Sequence, residues 1–123
     1  MSNILFLDDE EAILNTYRRM LRPLGVNGYF AKNSSDAQKI IDGNKIDLII
    51  SDYRLEQETG LDFLKIVREK NNEICLIIIS GYAEETFIKN AMDLKIIQDY
   101  LIKPISLNDF RNVISKFLDQ GVV

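Results

Sequence analysis

The stretch Asp47-Leu48-Ile49-Ile50-Ser51-Asp52 decides the fold of this chain. Its centre is a short apolar run, and the carboxylate of Asp52 follows that run directly. A brief apolar run between polar residues is typical of a strand that is buried on both faces of a parallel sheet. The sequence therefore predicts a central strand that ends on an acidic side chain, with a polar loop over residues 53–59 after it.

Four further runs lie before and after the central stretch. They cover residues 4–7, 26–31, 74–79 and 100–102, and the second is the weakest because Gly28 interrupts it. Three of these runs are followed at once by polar side chains, which are Asp8 with Asp9, Ser80, and Lys103. Five strands are thus predicted, and four of them end on a functional group.

Helical periodicity fills the segments that follow the strands. Apolar residues recur three or four positions apart, and the last helix is expected to bury Leu107, Phe110, Val113, Ile114, Phe117 and Leu118. Pro23 and Gly25 are expected to end the first helix. The second helix is expected to begin at Asn33, Ser34 or Ser35, the third near Gly60, and the fifth after a cap at Ser106. Because right-handed crossovers place helices on both faces of a parallel sheet, this alternation predicts a doubly wound α/β fold.

Length and composition restrict the possible functions. The chain has 123 residues with ordinary globular usage, so one domain over residues 1–123 is expected. There is no histidine and only one cysteine, Cys75, which excludes histidine-dependent nucleophiles, histidine-ligated metals and a disulfide framework. A net charge of −4 without a basic cluster argues against direct nucleic-acid binding. No apolar run approaches the roughly 20 residues of a membrane span, so we expect a cytoplasmic protein without membrane contacts.

The polar residues at the strand ends are expected to meet in one crevice. Ligands of open parallel sheets bind outside the carboxyl ends of the strands. The carboxylates of Asp9 and Asp52 suit Mg²⁺, which prefers oxygen ligands. Lys103 and Ser80 would then place a cation and a hydroxyl around a phosphoryl group. Each residue alone has an ordinary explanation as a helix cap, a turn residue or a solvated charge, so the prediction depends on their convergence.

These residues stand in motifs that resemble the receiver domain of two-component response regulators. The resemblance covers nearly the whole chain and rests on residues 8–10, 51–55, 60, 80–84 and 99–104. It implies the flavodoxin-like receiver fold with strand order 2-1-3-4-5. It also implies that Asp52 accepts a phosphoryl group from a sensor histidine kinase or a histidine phosphotransfer protein. The chain would then be a switch and not an enzyme, although it would catalyse its own phosphorylation and dephosphorylation.

The resemblance further implies a metal site around Asp52. In this family pattern, Asp9, Asp52 and the backbone carbonyl of Arg54 bind Mg²⁺ or Mn²⁺, and Asp8 supports the metal through a water molecule. The expected ligands are therefore all oxygen atoms.

A second group of residues carries the expected switch. By the resemblance, Lys103 pairs with the phosphoryl group, Ser80 is the switch hydroxyl and Tyr100 is the aromatic residue that turns inward with it. The peptide bond between Lys103 and Pro104 is expected to be cis. The face formed by helix 4, strand 5 and helix 5 is expected to contact an output domain or a downstream protein.

The sequence departs from the family pattern at several positions. The family usually has a proline at position 56 and an acid at position 59, so we expect a looser loop over residues 56–59. Ile96-Ile97 replaces a small Gly-Ala pair and is expected to add apolar surface beside the switch face. Arg54 and Tyr82 flank the phosphoryl site, and we expect slow autodephosphorylation from them.

These departures keep an alternative open, which is a pseudo-receiver that signals as an interaction module without phosphorylation. Two other classes are disfavoured. Aspartyl phosphatases that resemble haloacid dehalogenases carry AspXAspXThr after the first strand, where this chain reads Asp8-Asp9-Glu10-Glu11-Ala12. A nucleotide- or flavin-binding domain lacks support because no glycine-rich phosphate loop follows any strand.

Overall fold

A parallel β-sheet lies at the centre of the molecule. The computed structural model describes residues 2–81 and 85–118. Its strands are β1 (Asn3–Leu7), β2 (Asn27–Ala31), β3 (Leu48–Asp52), β4 (Cys75–Ser80) and β5 (Asp99–Ile102). All neighbouring strands are parallel, and their order is β2-β1-β3-β4-β5. The predicted fold class and strand order are confirmed.

An α-helix follows each strand in the described part of the chain. These helices are α1 (Glu11–Leu21), α2 (Ser34–Gly43), α3 (Gly60–Lys70), α4 (Glu85–Asp93) and α5 (Leu107–Phe117). A short 3₁₀ helix (Arg22–Leu24) continues α1 through Pro23 and ends at Gly25, which has a left-handed φ of 68°. Both residues act as the predicted end signals.

Side-chain caps set the starts of three helices. Asn33 accepts a hydrogen bond from the backbone N–H of Asp36, so it is the cap among the three candidates for α2. Thr59 caps α3 in the same way. Ser106 and Asp109 form a reciprocal capping box at the start of α5, which confirms the predicted cap.

Alternate residues of the strands point into two cores, one on each face of the sheet. Ile4 and Phe6 of β1 pack with α1 and α5, whereas Leu5 and Leu7 pack with α2, α3 and α4. In the first core the rings of Phe6, Tyr17 and Phe110 are in mutual contact, with ring centroids 4.9 to 5.4 Å apart. The central strands are therefore buried on both faces, as their continuous apolar sequence predicts.

Two packing expectations need correction. Leu107 belongs to the predicted buried stripe of α5, but it is 36% exposed and is the first residue of the helix. Ile97 was expected to add surface, but it is 2% exposed and packs in the core beneath α3 and α4, with Ile96 partly buried beside it. The guanidinium of Arg68 donates to Ile96 O at 3.0 Å and holds this segment against α3. The pair therefore fills the interior.

Candidate functional site

Three carboxylates lie together at the carboxyl edge of the sheet. Asp8 and Asp9 follow β1, and Asp52 is the last residue of β3, the strand that pairs with β1. One oxygen atom from each carboxylate lies within 4.8 Å of the others. Asp8 and Asp52 are buried, and Asp9 is half-buried. Strand adjacency therefore brings together acidic groups that are more than 40 residues apart in the sequence.

Asp8 is the most deeply buried of these carboxylates. Its Oδ1 accepts a hydrogen bond from the backbone N–H of Glu10 at 2.9 Å. Its Oδ2 is buried and has no hydrogen-bond partner in residues 2–81 and 85–118. The pKa of Asp8 is raised from 3.8 to about 6, and burial is the largest cause. The charge of Asp52 also raises this pKa, whereas the Glu10 hydrogen bond and the charge of Lys103 lower it. A buried carboxylate oxygen of this kind, beside two other carboxylates, fits a hard cation bound with its water shell.

Lys103 supplies the positive charge of the site. Its Nζ donates to Asp52 Oδ2 at 3.0 Å and lies 3.7 Å from Asp8 Oδ2. Burial alone lowers the pKa of the Lys103 ammonium, but the hydrogen bond and charge of Asp52 outweigh it and leave that pKa raised. The peptide bond from Lys103 to Pro104 is cis, as predicted. Lys103 is therefore cationic at neutral pH and is held on the predicted acceptor.

The two predicted switch residues lie in different places. Ser80 is the last residue of β4, is 1% exposed, and lines a cleft of about 330 Å³ together with Asp9, Asp52, Arg54 and Lys103. Tyr100 in β5 is 40% exposed and borders a separate groove along α4. The structure therefore brings Ser80 to the carboxylates and leaves Tyr100 outside the cleft.

Two backbone hydrogen bonds close the loop between β3 and α3. They run from Leu55 N to Glu58 O at 3.0 Å and from Gly60 N to Tyr53 O at 2.7 Å. They make an isolated antiparallel bridge between Arg54 and Thr59. These bonds do not require a proline at position 56, and Thr59 replaces the usual acid as the cap of α3. The expectation of a looser loop remains a prediction.

Two residues of this loop have roles that the sequence did not reveal. A Cβ at Gly60 would collide with the carbonyl oxygen of Asp52 and with Ser51 Oγ, so only glycine fits against the end of β3. Glu58 Oε2 accepts a hydrogen bond from the backbone N–H of Ser34 in α2. The glycine was visible as a motif residue, whereas no local pattern marks the Glu58 contact.

The side chains beside the predicted phosphoryl position are only partly described. Arg54 is exposed, and its guanidinium carbon lies 6.0 Å from the ring centroid of Tyr53. Tyr82 lies outside the described residues. The expectation of slow autodephosphorylation therefore remains a prediction.

Comparison with known proteins gives the class of protein that this fold and site define. The model of the response regulator receiver domain matches residues 4–115. The chain belongs to this family, which provides the receiver module of two-component signalling systems. No helix among residues 2–81 and 85–118 combines the length and apolar character that crossing a bilayer requires.

Individual relatives include both regulators and kinases. The chain is 36% identical over 101 residues to the hydrogenase transcriptional regulatory protein HoxA of Bradyrhizobium diazoefficiens, which covers 82% of the chain and 21% of HoxA. It is 28% identical over 122 residues to the sensor kinase CckA of Brucella abortus, which covers 97% of the chain and 13% of CckA. A receiver domain protein from Clostridium thermocellum superposes with a TM-score of 0.89 at 26% identity, covering 97% of the chain and 95% of that structure. The chain thus spans a small part of the curated relatives.

Proposed function

We propose that the chain is a phosphoacceptor switch in which Asp52 receives a phosphoryl group from a phosphohistidine. The observation that carries the proposal is the Lys103 ammonium 3.0 Å from a buried Asp52, inside a cluster of three carboxylates. A carboxylate oxygen of Asp52 forms the new P–O bond as the P–N bond of the donor breaks, and the imidazole nitrogen keeps the electron pair. Because the chain has no histidine, the donor is a sensor kinase or a histidine phosphotransfer protein. The chain acts on itself in both phosphorylation and hydrolysis, and on no other substrate.

The acidic cluster would hold Mg²⁺ or Mn²⁺. Asp9, Asp52 and the Arg54 carbonyl are the proposed ligands, and Asp8 would bind the metal through water. The buried Oδ2 of Asp8, which has no hydrogen-bond partner within residues 2–81 and 85–118, supports this assignment. When bound, the metal neutralises charge that develops on the transferring group. Lys103 remains available for the phosphoryl oxygens on the other side.

The proposed switch turns a local charge into a change of packing. A phosphoryl group adds about two negative charges to the cleft, which Lys103 offsets in part. The Ser80 hydroxyl would donate to a phosphoryl oxygen, and Tyr100 would leave its exposed position for the space beside Ser80. This movement changes the surface between α4 and β5.

That surface is the proposed partner site. Five of the six large apolar side chains that are exposed in the described residues lie in or next to α4, β5 and α5, and they are Phe87, Leu94, Tyr100, Ile102 and Leu107. The sixth is Ile66 in α3. A concentration of apolar exposure marks a protein contact better than a nucleic-acid or membrane contact when no basic cluster accompanies it. We therefore propose an output domain or a downstream protein in the cytoplasm as the partner.

Titration with Mg²⁺ followed by beryllofluoride, an acyl-phosphate mimic, tests the proposal. We expect backbone amide NMR signals of Ser80, Tyr100 and Lys103 to shift in the wild-type protein. The variant Asp52→Asn should lose the beryllofluoride response while it remains folded. If the wild-type protein does not respond, the proposal fails and the pseudo-receiver alternative is favoured.

A further inference from the structure

The side chain of Glu58 connects the β3–α3 loop to another element. Its Oε2 accepts a hydrogen bond at 3.2 Å from the backbone N–H of Ser34, which is 24 residues away in the sequence. Ser34 is the first residue of α2, where backbone N–H groups have no partner inside the helix. The positive end of the helix dipole also favours a carboxylate at this place. The contact is therefore matched in both hydrogen bonding and charge.

The backbone of Glu58 is also hydrogen-bonded to the residue that follows the proposed metal ligand Arg54. The backbone carbonyl of Glu58 accepts from Leu55 N at 3.0 Å, one residue beyond Arg54. This bond and the one from Gly60 to Tyr53 form the bridge at Arg54, and neither uses the Arg54 carbonyl. A displacement of Glu58 would therefore pass directly to the backbone of Arg54.

The loop lies between the core and an open cleft. Leu55 buries the inner side in the core. The outer side faces a cleft of about 460 Å³ that Asp9, Lys32 and Asn33 line from the opposite loops. The hydrogen bond from Ser34 to Glu58 connects the loop to the start of α2 beside this cleft.

We infer that Glu58 is a positioning residue for the metal site, which fixes the Arg54 backbone beside Asp52 by anchoring the loop on α2. The inference rests on the proposed function, because the metal site is part of it. Loss of the anchor should weaken Mg²⁺ binding more than it weakens the fold. Outer-shell partners of metal ligands typically change affinity by about 10–100-fold. Because Glu58 would act on only one ligand, the Arg54 carbonyl, we expect its loss to lower the affinity for Mg²⁺ at the small end of this range, roughly tenfold.

Two substitutions remove the same hydrogen bond from opposite sides. Glu58→Ala removes the acceptor, and Ser34→Pro removes the N–H donor while it keeps the carboxylate. Proline is favoured at the first position of a helix, and the extended backbone of Asn33 (φ −151°, ψ 168°) suits a residue before proline. Glu56→Ala is the matched control, since it deletes an exposed acid from the same loop. Glu58→Gln keeps an acceptor without the charge.

Mg²⁺ affinity is measured by NMR titration, and stability by urea unfolding. We expect Glu58→Ala and Ser34→Pro each to raise the Kd for Mg²⁺ roughly tenfold, and the double variant to raise it no further. Glu58→Gln should bind closer to wild type than Glu58→Ala. The urea midpoints of all variants should stay near that of Glu56→Ala.

Two results separate the inference from the proposed function. If the wild-type protein binds no Mg²⁺, the proposed function and the inference both fail. If the wild-type protein binds Mg²⁺ but Glu58→Ala matches Glu56→Ala, only the inference fails, because general charge then explains any change. If Ser34→Pro does not fold, the comparison of Glu58→Ala with Glu58→Gln and Glu56→Ala still tests the inference.

Discussion

Replacing Gly60 with alanine perturbs the end of β3 without changing any charge. Gly60 is the first residue of α3, and its N–H donates to Tyr53 O. An added Cβ would meet the Asp52 carbonyl oxygen and Ser51 Oγ inside the 3.0 Å limit that real Cβ atoms essentially never cross. Both of these residues are buried at the end of β3, so the strand or the loop has to move.

Two opposing contributions set the size of the effect. Alanine favours helix over glycine by up to about 1 kcal/mol in a helix interior, and by less at the first position. Forcing an extra atom into a packed site costs about 1–3 kcal/mol. The obstacle here is backbone, which cannot rotate away as a side chain would. We therefore expect a net loss of about 1–2 kcal/mol in the free energy of unfolding.

Urea unfolding measures this loss. The midpoint of Gly60→Ala should fall by roughly 0.5–1 M, given the slopes usual for small proteins. Gly43→Ala is the control, because Gly43 ends α2 and a Cβ there meets nothing within 4 Å. The control should be unchanged or more stable by up to about 1 kcal/mol. Mg²⁺ affinity should also fall in Gly60→Ala and not in the control.

Equal stability of the two alanine variants would refute the reasoning. It would show that the β3–α3 loop yields without cost, and that close approach does not explain the glycine at position 60. A destabilised Gly60→Ala variant with unchanged Mg²⁺ affinity would confine the effect to packing.

Three further predictions test the cores and the charges. Phe110→Ala should lower the free energy of unfolding by about 3–5 kcal/mol in urea, whereas Phe87→Ala, at an exposed position, should change it by less than about 0.5 kcal/mol. Burial raises the pKa of the Cys75 thiol from 9.0 to about 12, so the unfolded chain loses a proton that the folded chain keeps, and stability should fall as pH rises between these values. Tyr17 and Lys103, whose pKa values are also raised, contribute to the same fall at higher pH. Cys75→Ala should therefore show a shallower slope than the wild-type protein, with the largest difference just above pH 9. Lys103→Met should strengthen Mg²⁺ binding several-fold in an NMR titration, because the ammonium no longer competes for Asp52; equal or weaker binding would contradict this.

The sequence predicts best what is encoded over short distances. The strand through Ile49 and Ile50 and the cap at Ser106 follow from neighbouring residues alone, and both are observed. The strand order is different, because alternation of strands and helices does not specify which strands are neighbours. That order came from resemblance to a family. Leu107 shows the limit of periodicity, since helical spacing does not reveal that the first residue of the helix is exposed.

The candidate site also has features that neighbouring residues predict and features that depend on distant residues. Acidic residues at strand ends are visible in the sequence, and the parallel sheet brings Asp9 and Asp52 together. The sequence does not show that Asp8 is buried while its neighbour Asp9 is only half-buried, because burial depends on residues packed from other elements. The contact of Glu58 with Ser34 joins distant segments through a backbone N–H, so it leaves no side-chain pattern to detect.

The ion pair between Lys103 and Asp52 has a consequence for the speed of switching. The ammonium already lies 3.0 Å from the Asp52 carboxylate, partly withdrawn from water. Much of the solvent reorganisation that a lysine undergoes on entering such a cleft is therefore complete before a donor arrives. The proposed transfer requires the ammonium only to exchange one anionic oxygen for another a short distance away. A resting pair of this kind acts as preorganisation, which lowers the barrier by reducing reorganisation at the moment of reaction.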